Sequence, residues 1–121
     1  MATGLENLNV YKISILLKRE IYKLVNKLPK EEKYRLTNQI QRSASSIAAN
    51  IAEAYGKFNY KEKIHSLYIA RGEALETKNH LTDTLDKRLV NKLEFQKLED
   101  LCINVIKTIN GYIRYLKNKT N

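Results

Sequence analysis

At 121 residues the chain is long enough to bury a core and too short for two, so it reads as one domain. One proline, four glycines and no low-complexity run exclude a linker-rich or fibrous protein, and nothing approaches the ~20 apolar residues of a membrane span. The formal charge of +9 favours polyanionic partners, unless the lysines serve only solubility.

That charge is unevenly spread. Residues 10–42 hold nine Lys/Arg against three Glu, and residues 43–86 hold five against six acids. Residues 107–121 hold Lys107, Arg114, Lys117 and Lys119 with no acid at all. Both ends of the chain are therefore basic, which points to RNA or DNA. The only cysteine, Cys102, can form no intrachain disulfide and fits a cytoplasmic location. Residues 1–6 have no basic n-region and no apolar h-region, so no signal peptide is expected, and they read as a loose arm.

The first helix is predicted from residue 7 or 9 to residue 28. Its seam is Val10, Ile13, Leu17, Ile21, Leu24 and Leu28, at spacings of 3, 4, 4, 3 and 4. Lys12, Arg19, Lys23 and Lys27 align on another face, where they either contact phosphate or lie solvated over apolar neighbours. Pro29 ends this helix, and Glu31 and Glu32 suit the first turn of the second. The second helix runs to about residue 55, with Gly56 as its C-terminal cap. Ile40, Ala44, Ile47, Ile51 and Tyr55 make its apolar face, and Arg42, Ser46, Asn50 and Glu53 fall nearly opposite. With Ala and Ser between the two faces, the helix reads as buried on two sides, its polar stripe a structural seam between helices or between subunits. The alternative is a short solvated face.

Asn59 with Glu62, and Asn91 with Glu94, have capping-box spacing, so the third and fourth helices should begin at Tyr60 and near Lys92. The third helix turns Ile64, Leu67, Tyr68, Leu75 and Leu85 inward, with Arg71 along the same arc. An Arg there needs a carboxylate or a route to water. Glu53 is the expected partner, within or between chains, with Glu76 in reserve. The fourth helix carries a heptad-like seam of Leu98, Cys102, Val105, Ile109, Tyr112 and Leu116, so Cys102 reads as packing. Gly111 lies mid-helix, where a close helix contact would explain it. Residues 117–121 should fray. Four long helices with short connections give an all-α, antiparallel up-down-up-down four-helix bundle over residues 1–121, expected to assemble as a homo-oligomer.

A bundle can hold a di-iron site, which needs two Glu-x-x-His pairs and further Glu. Only Glu62 and His65 make such a pair, and helical phase places them on the outer face with Glu73, Glu76, His80 and Asp83. There is no phosphate-binding glycine loop, and no base beside Cys102. Glu76 and His80 could make an acid–base couple, but that spacing arises by chance. The chain reads as non-enzymatic, with no metal, cofactor, small-molecule substrate or membrane partner.

Several stretches resemble a bacterial family, the four-helix bundle proteins encoded by intervening sequences in 23S ribosomal RNA genes. They are Leu8-Asn9-Val10-Tyr11-Lys12, Leu28-Pro29-Lys30-Glu31-Glu32, Leu36-Thr37-Asn38-Gln39-Ile40-Gln41-Arg42, Ser46-Ile47-Ala48-Ala49-Asn50-Ile51-Ala52-Glu53 and Leu67-Tyr68-Ile69-Ala70-Arg71-Gly72 with Glu76. Tyr11 stands where the family usually has Trp, Ala54 where it has Gly, and Glu73 where it has Ser. The resemblance implies an antiparallel bundle assembled as a homopentamer. It extends to the basic pentameric accessory variability protein of diversity-generating retroelements, which engages nucleic acid and a reverse transcriptase. It implies no catalytic residues, and its matches at Arg42, Asn50, Glu53 and Arg71 read as architecture. The reading is thus a basic homo-oligomer that binds structured RNA or other nucleic acid by phosphate contacts. Lys12, Arg19, Lys23 and Lys27 would make them, helped by Lys30, Arg114, Lys117 and Lys119. The alternative is an interaction scaffold for an acidic protein.

Overall fold

The computed structural model describes residues 4–119. Four helices carry the fold: α1 (Asn9–Val25), α2 (Asn38–Gly56), α3 (Tyr60–Asp86) and α4 (Lys92–Lys119). Lys27 at the end of α1 reaches Glu94 at the start of α4, Ser43 of α2 meets Thr77 of α3, and Arg71 of α3 meets Asn110 of α4. With the Tyr22 hydroxyl of α1 bonded to Ser45 of α2 at 2.7 Å, these cross-links make each neighbouring pair antiparallel, in the up-down-up-down order that short connections impose.

The capping spacings hold. Asn59 accepts from the Glu62 amide at 2.8 Å, and Asn91 from the Glu94 amide at 2.7 Å, each satisfying a first-turn donor. The other ends differ from expectation. The first helix stops at Val25, and the second begins irregularly, with a 3-10 turn at Lys30–Glu32 and a wide π turn at Lys33–Thr37. Gly56 is the last residue of α2 rather than a left-handed cap, and extended Lys57 ends that helix. The left-handed cap belongs to α3: Arg88 has φ 58°, its amide reaches the Leu85 carbonyl and the Leu89 amide the Thr84 carbonyl. That is a Schellman ending without glycine. Of the arm and tail expected at 1–6 and 117–121, residues 1–3 and 120–121 lie outside the described residues. Within them a 3-10 turn spans Leu5–Asn7, and α4 continues to Lys119.

Leu17, Ile21, Ile47, Ile51, Leu67, Leu81 and Ile109 are wholly buried, and each such side chain contributes about 1.5–3 kcal/mol. The predicted seams of the first and fourth helices are nearly right. Ser14 is buried where Ile13 is only half-buried, and Ile113 takes the inner place given to Tyr112. The third helix is rotated by roughly one residue, about 100°, from its expected phase. Its inner face is Ile64, Leu67, Ala70, Ala74, Thr77, Leu81 and Thr84, while Tyr68 and Leu75 face outward. Small residues line it because α2 also presents small residues, Ser43, Ala44 and Ala48, so the two backbones pack closely. Ser43 and Thr77 share a buried hydrogen bond of 2.8 Å across that interface, and Thr77 also donates to its own helix at Glu73. No residue crowds Gly111, and a Cβ there would meet nothing within 4 Å, so close helix contact does not account for it.

Candidate nucleic-acid interface

The same rotation revises the polar seam. Arg42 and Glu53 are exposed, and Ser46 and Asn50 half-buried, so within one chain the stripe is a partly solvated flank of α2. Glu53 pairs with Lys57 one turn on, at 3.5 Å. Arg71 lies on the flank of α3 that faces α4, donates to Asn110 Oδ1 at 2.8 Å and stacks over the Tyr68 ring. The expected Glu53–Arg71 pair therefore does not form within the chain. Glu76, the reserve, is taken by Arg42 at 2.9 Å, and Glu73 lies 3.6 Å from the same guanidinium. His80, expected outward, is buried with Nε2 3.4 Å from Glu76 and Nδ1 without a partner. His65 and Glu62 are exposed as expected. Among the described residues no group of His, Cys, Asp and Glu is placed to hold a metal ion. Burial pushes the Cys102 thiol up to about 12, against the nearby charge of Lys78, and this keeps it protonated and unreactive.

The predicted cations all reach the surface, but not as one patch. Lys12, Arg19, Lys23 and Lys27 run the length of α1 and its following turn, and all four are exposed. Lys23 is bound to Glu20 at 2.9 Å and Lys27 to Glu94 at 3.0 Å, while Lys97 also approaches Glu20. The hydrogen bond from Lys23 holds the Glu20 carboxyl below its usual range against partial burial, with the charges of Lys23 and Lys97 adding to it. Half of the stripe is thus already neutralised. Among the described residues no ion pair reaches Lys12, Arg19 or Lys30. Lys27 and Lys30 sit at the turn end of the bundle. Arg114, Lys117 and Lys119 sit at the opposite end, with the start of α1 and the α2–α3 loop.

That opposite end is the more distinctive. Segments 4–12, 53–71 and 107–119 hold nine of the 22 Lys/Arg but only three of the 13 acids, and so six of the nine net positive charges. They also hold six of the eight tyrosines and Phe58. Tyr55, Tyr60, Tyr112 and Tyr115 gather closely enough that burial, and then these neighbours, push the Tyr112 hydroxyl up. Tyr112 and Tyr115 stack with centroids 6.2 Å apart. Lys119 lies over Tyr115 at 5.3 Å, and Lys117 over Tyr68 at 5.6 Å. Gly4, at φ 106°, packs against the Tyr55 hydroxyl where any Cβ would collide with it. Lys63 closes the end of α2 by donating to the Ala54 and Tyr55 carbonyls. In the connecting loop, Phe58 is 98% exposed between Lys57 and Lys61. The alternation Tyr55, Lys57, Phe58, Tyr60, Lys61, Lys63 was visible in the sequence as aromatic residues interleaved with lysine.

A family model described as 23S rRNA-intervening sequence protein matches residues 6–111. The chain belongs to that family. Among solved structures it is similar to a crystal structure of a protein of unknown function from the S23 ribosomal protein family of Bacteroides thetaiotaomicron. The two are 28% identical with a TM-score of 0.81, over 86% of this chain and 97% of the other. Curated proteins give no match. The family model spans α1, α2, α3 and most of α4, so the tyrosine-rich loop lies inside the intervening-sequence protein fold, while Arg114 to Lys119 lie beyond the matched residues. No helix among the described residues is long and apolar enough to cross a membrane.

Proposed function

We propose that this intervening-sequence family protein is a non-enzymatic, cytoplasmic, homo-oligomeric bundle that binds structured RNA or other nucleic acid through phosphate contacts. The observation that carries the reading is the crowding of six of nine net charges onto one end of the bundle. Lys12, Arg114 and Lys119 make the contacts there, joined by Lys61, with Arg19 farther along α1, while Lys23 and Lys27 must first leave their carboxylates. Assembly is supported by the outward face of α3, where Ile69 and Leu75 are about half exposed on either side of Gly72. The family likeness makes five chains the expected number, read by light scattering.

The test is fluorescence anisotropy with structured ribosomal RNA across a salt series, with mixed-sequence duplex DNA for comparison. Affinity should fall steeply with salt, at a log–log slope of roughly 0.7–0.9 per phosphate contacted. Lys12→Glu with Arg114→Glu should weaken binding about tenfold or more at low salt without changing the mass. No binding to either nucleic acid at low salt overturns the reading and favours an acidic protein partner, sought by copurification with and without nuclease.

A further inference from the structure

Phosphate contact explains the lysines of the tyrosine-rich end but not its rings. Phe58 is fully solvated at a loop tip, which costs apolar hydration and contributes nothing to the core. Tyr115 is 54% exposed, and Tyr60 and Tyr68 each 39%, so several rings are part-exposed at one end of a molecule with no tryptophan. Beside Phe58, the first turns of α3 flank an open groove of about 400 Å³ lined by Lys61, Ile64, His65 and Tyr68. Cations lie over the rings: Lys119 on Tyr115, Lys117 and Arg71 on Tyr68. In each such pair the cation covers a ring face and uncovers it on turning to a phosphate, so ring and charge together match the flat base and negative phosphate of an unpaired nucleotide.

We infer that this end is a stacking platform for unpaired bases, so that the nucleic acid it selects is single-stranded: a loop, bulge or free strand rather than a duplex. The inference rests on the nucleic-acid reading above and deepens it by naming the substrate class. A duplex satisfies the lysines but keeps its base faces buried, and leaves Phe58 and the tyrosines wet. An acidic protein surface offers charge without ring faces. An anionic membrane would need an apolar face to insert, and the loop tip between α2 and α3 offers Phe58 alone for insertion. Stacking tolerates any base, so the platform discriminates paired from unpaired and not one sequence from another.

The experiment compares a mixed-sequence 20-nucleotide RNA, alone and annealed to its complement, on the full chain and on Phe58→Ala and Tyr115→Ala. Both side chains are exposed, Phe58 wholly so, and unchanged melting serves as the folding control. With tryptophan absent, base stacking is read directly as quenching of tyrosine emission. The single strand should bind about tenfold or more tighter than the duplex and quench that emission. Phe58→Ala should lose about fivefold or more on the single strand and little on the duplex. Equal binding of both forms, or single-strand binding indifferent to Phe58 and Tyr115, overturns the platform and leaves phosphate binding standing. Absence of binding by either form at low salt overturns both readings. Vesicles of anionic lipid captured through Phe58, or a mass that drops in Phe58→Ala, would assign the end to a membrane or a second copy and likewise overturn the inference.

Discussion

The two halves of the bundle treat the same residue types in opposite ways. In the half that contains the α1–α2 and α3–α4 turns, cations face carboxylates. Seven of the eight Lys/Arg–carboxylate pairs among the described residues lie there, including Lys27–Glu94, Lys87–Glu32 and Arg42–Glu76. In the other half cations face aromatic rings, as four of the six cation–π contacts among the described residues do, beside the Glu53–Lys57 ion pair. A cation over a ring keeps its full charge for a third party, and a cation on a carboxylate does not. Net charge alone hides this, because the chain's +9 is the sum of six charges crowded at one end and three spread over the rest.

The comparison breaks most sharply through affinity. Lys61→Glu with Lys119→Glu should weaken RNA binding by about tenfold or more at low salt, whereas Lys27→Glu with Lys30→Glu should cost less than about threefold. Equal losses measured by anisotropy would mean that the two ends are electrostatically alike. Stability sharpens it next. Thr77→Val removes one partner of a buried pair whose other member, Ser43, keeps the Ile40 carbonyl, so it should cost about 0.5–1.5 kcal/mol in urea melts, and combining it with Ser43→Ala should cost less than the two separately. Two backbone substitutions, one in each half, should stabilise by about 1 kcal/mol. Arg88→Gly relieves a left-handed residue in the ion-paired half, and Gly111→Ala supplies helix propensity in open space in the other. If Gly111→Ala instead dissociates the assembly, a neighbouring chain occupies that space.

The smallest effect is pH-dependent. Glu20 has its folded carboxyl lowered by its hydrogen bond with Lys23, so its contribution is present above the unfolded value. That contribution is lost as pH falls through the folded one. Glu20→Gln should therefore lower the melting temperature slightly at neutral pH, with the difference closing in acid. A difference that persists in acid would show that packing, not charge, holds the α1–α4 groove.

Much of the fold was legible because Leu and Ile mark their own faces. Val10, Leu17, Ile21 and Leu24, like Leu98, Val105 and Ile109, fall where periodicity puts them, and Asn59 and Asn91 cap where their spacing says. The third helix was misphased because large residues were weighted over small ones. Its inner face is Ala70, Ala74 and Thr77, and Leu75 looks outward. That rotation carried Arg71 to Asn110 and His80 inward. The tyrosine-rich end escaped a count of charge along the chain, because residues 43–86 balance as a block. Lys57, Lys61 and Lys63 are offset there by acids that the fold places farther along α3, at Glu73, Glu76 and Asp83. Charge separates by height in the bundle, which linear counting does not see.

The hydroxyl pair Ser43–Thr77 has a further consequence. Two helices packed through Ala, Ser and Thr have shallow ridges, so sliding by one turn would exchange one small residue for another at little cost in volume. Such a slip would break the bond between the hydroxyls and leave each with only a carbonyl of its own helix, at Ile40 and Glu73. The pair acts as a pawl on an otherwise smooth ratchet. The Phe58 loop joins α2 to α3, so where that pawl engages also sets how far the ring protrudes beyond the end of the bundle.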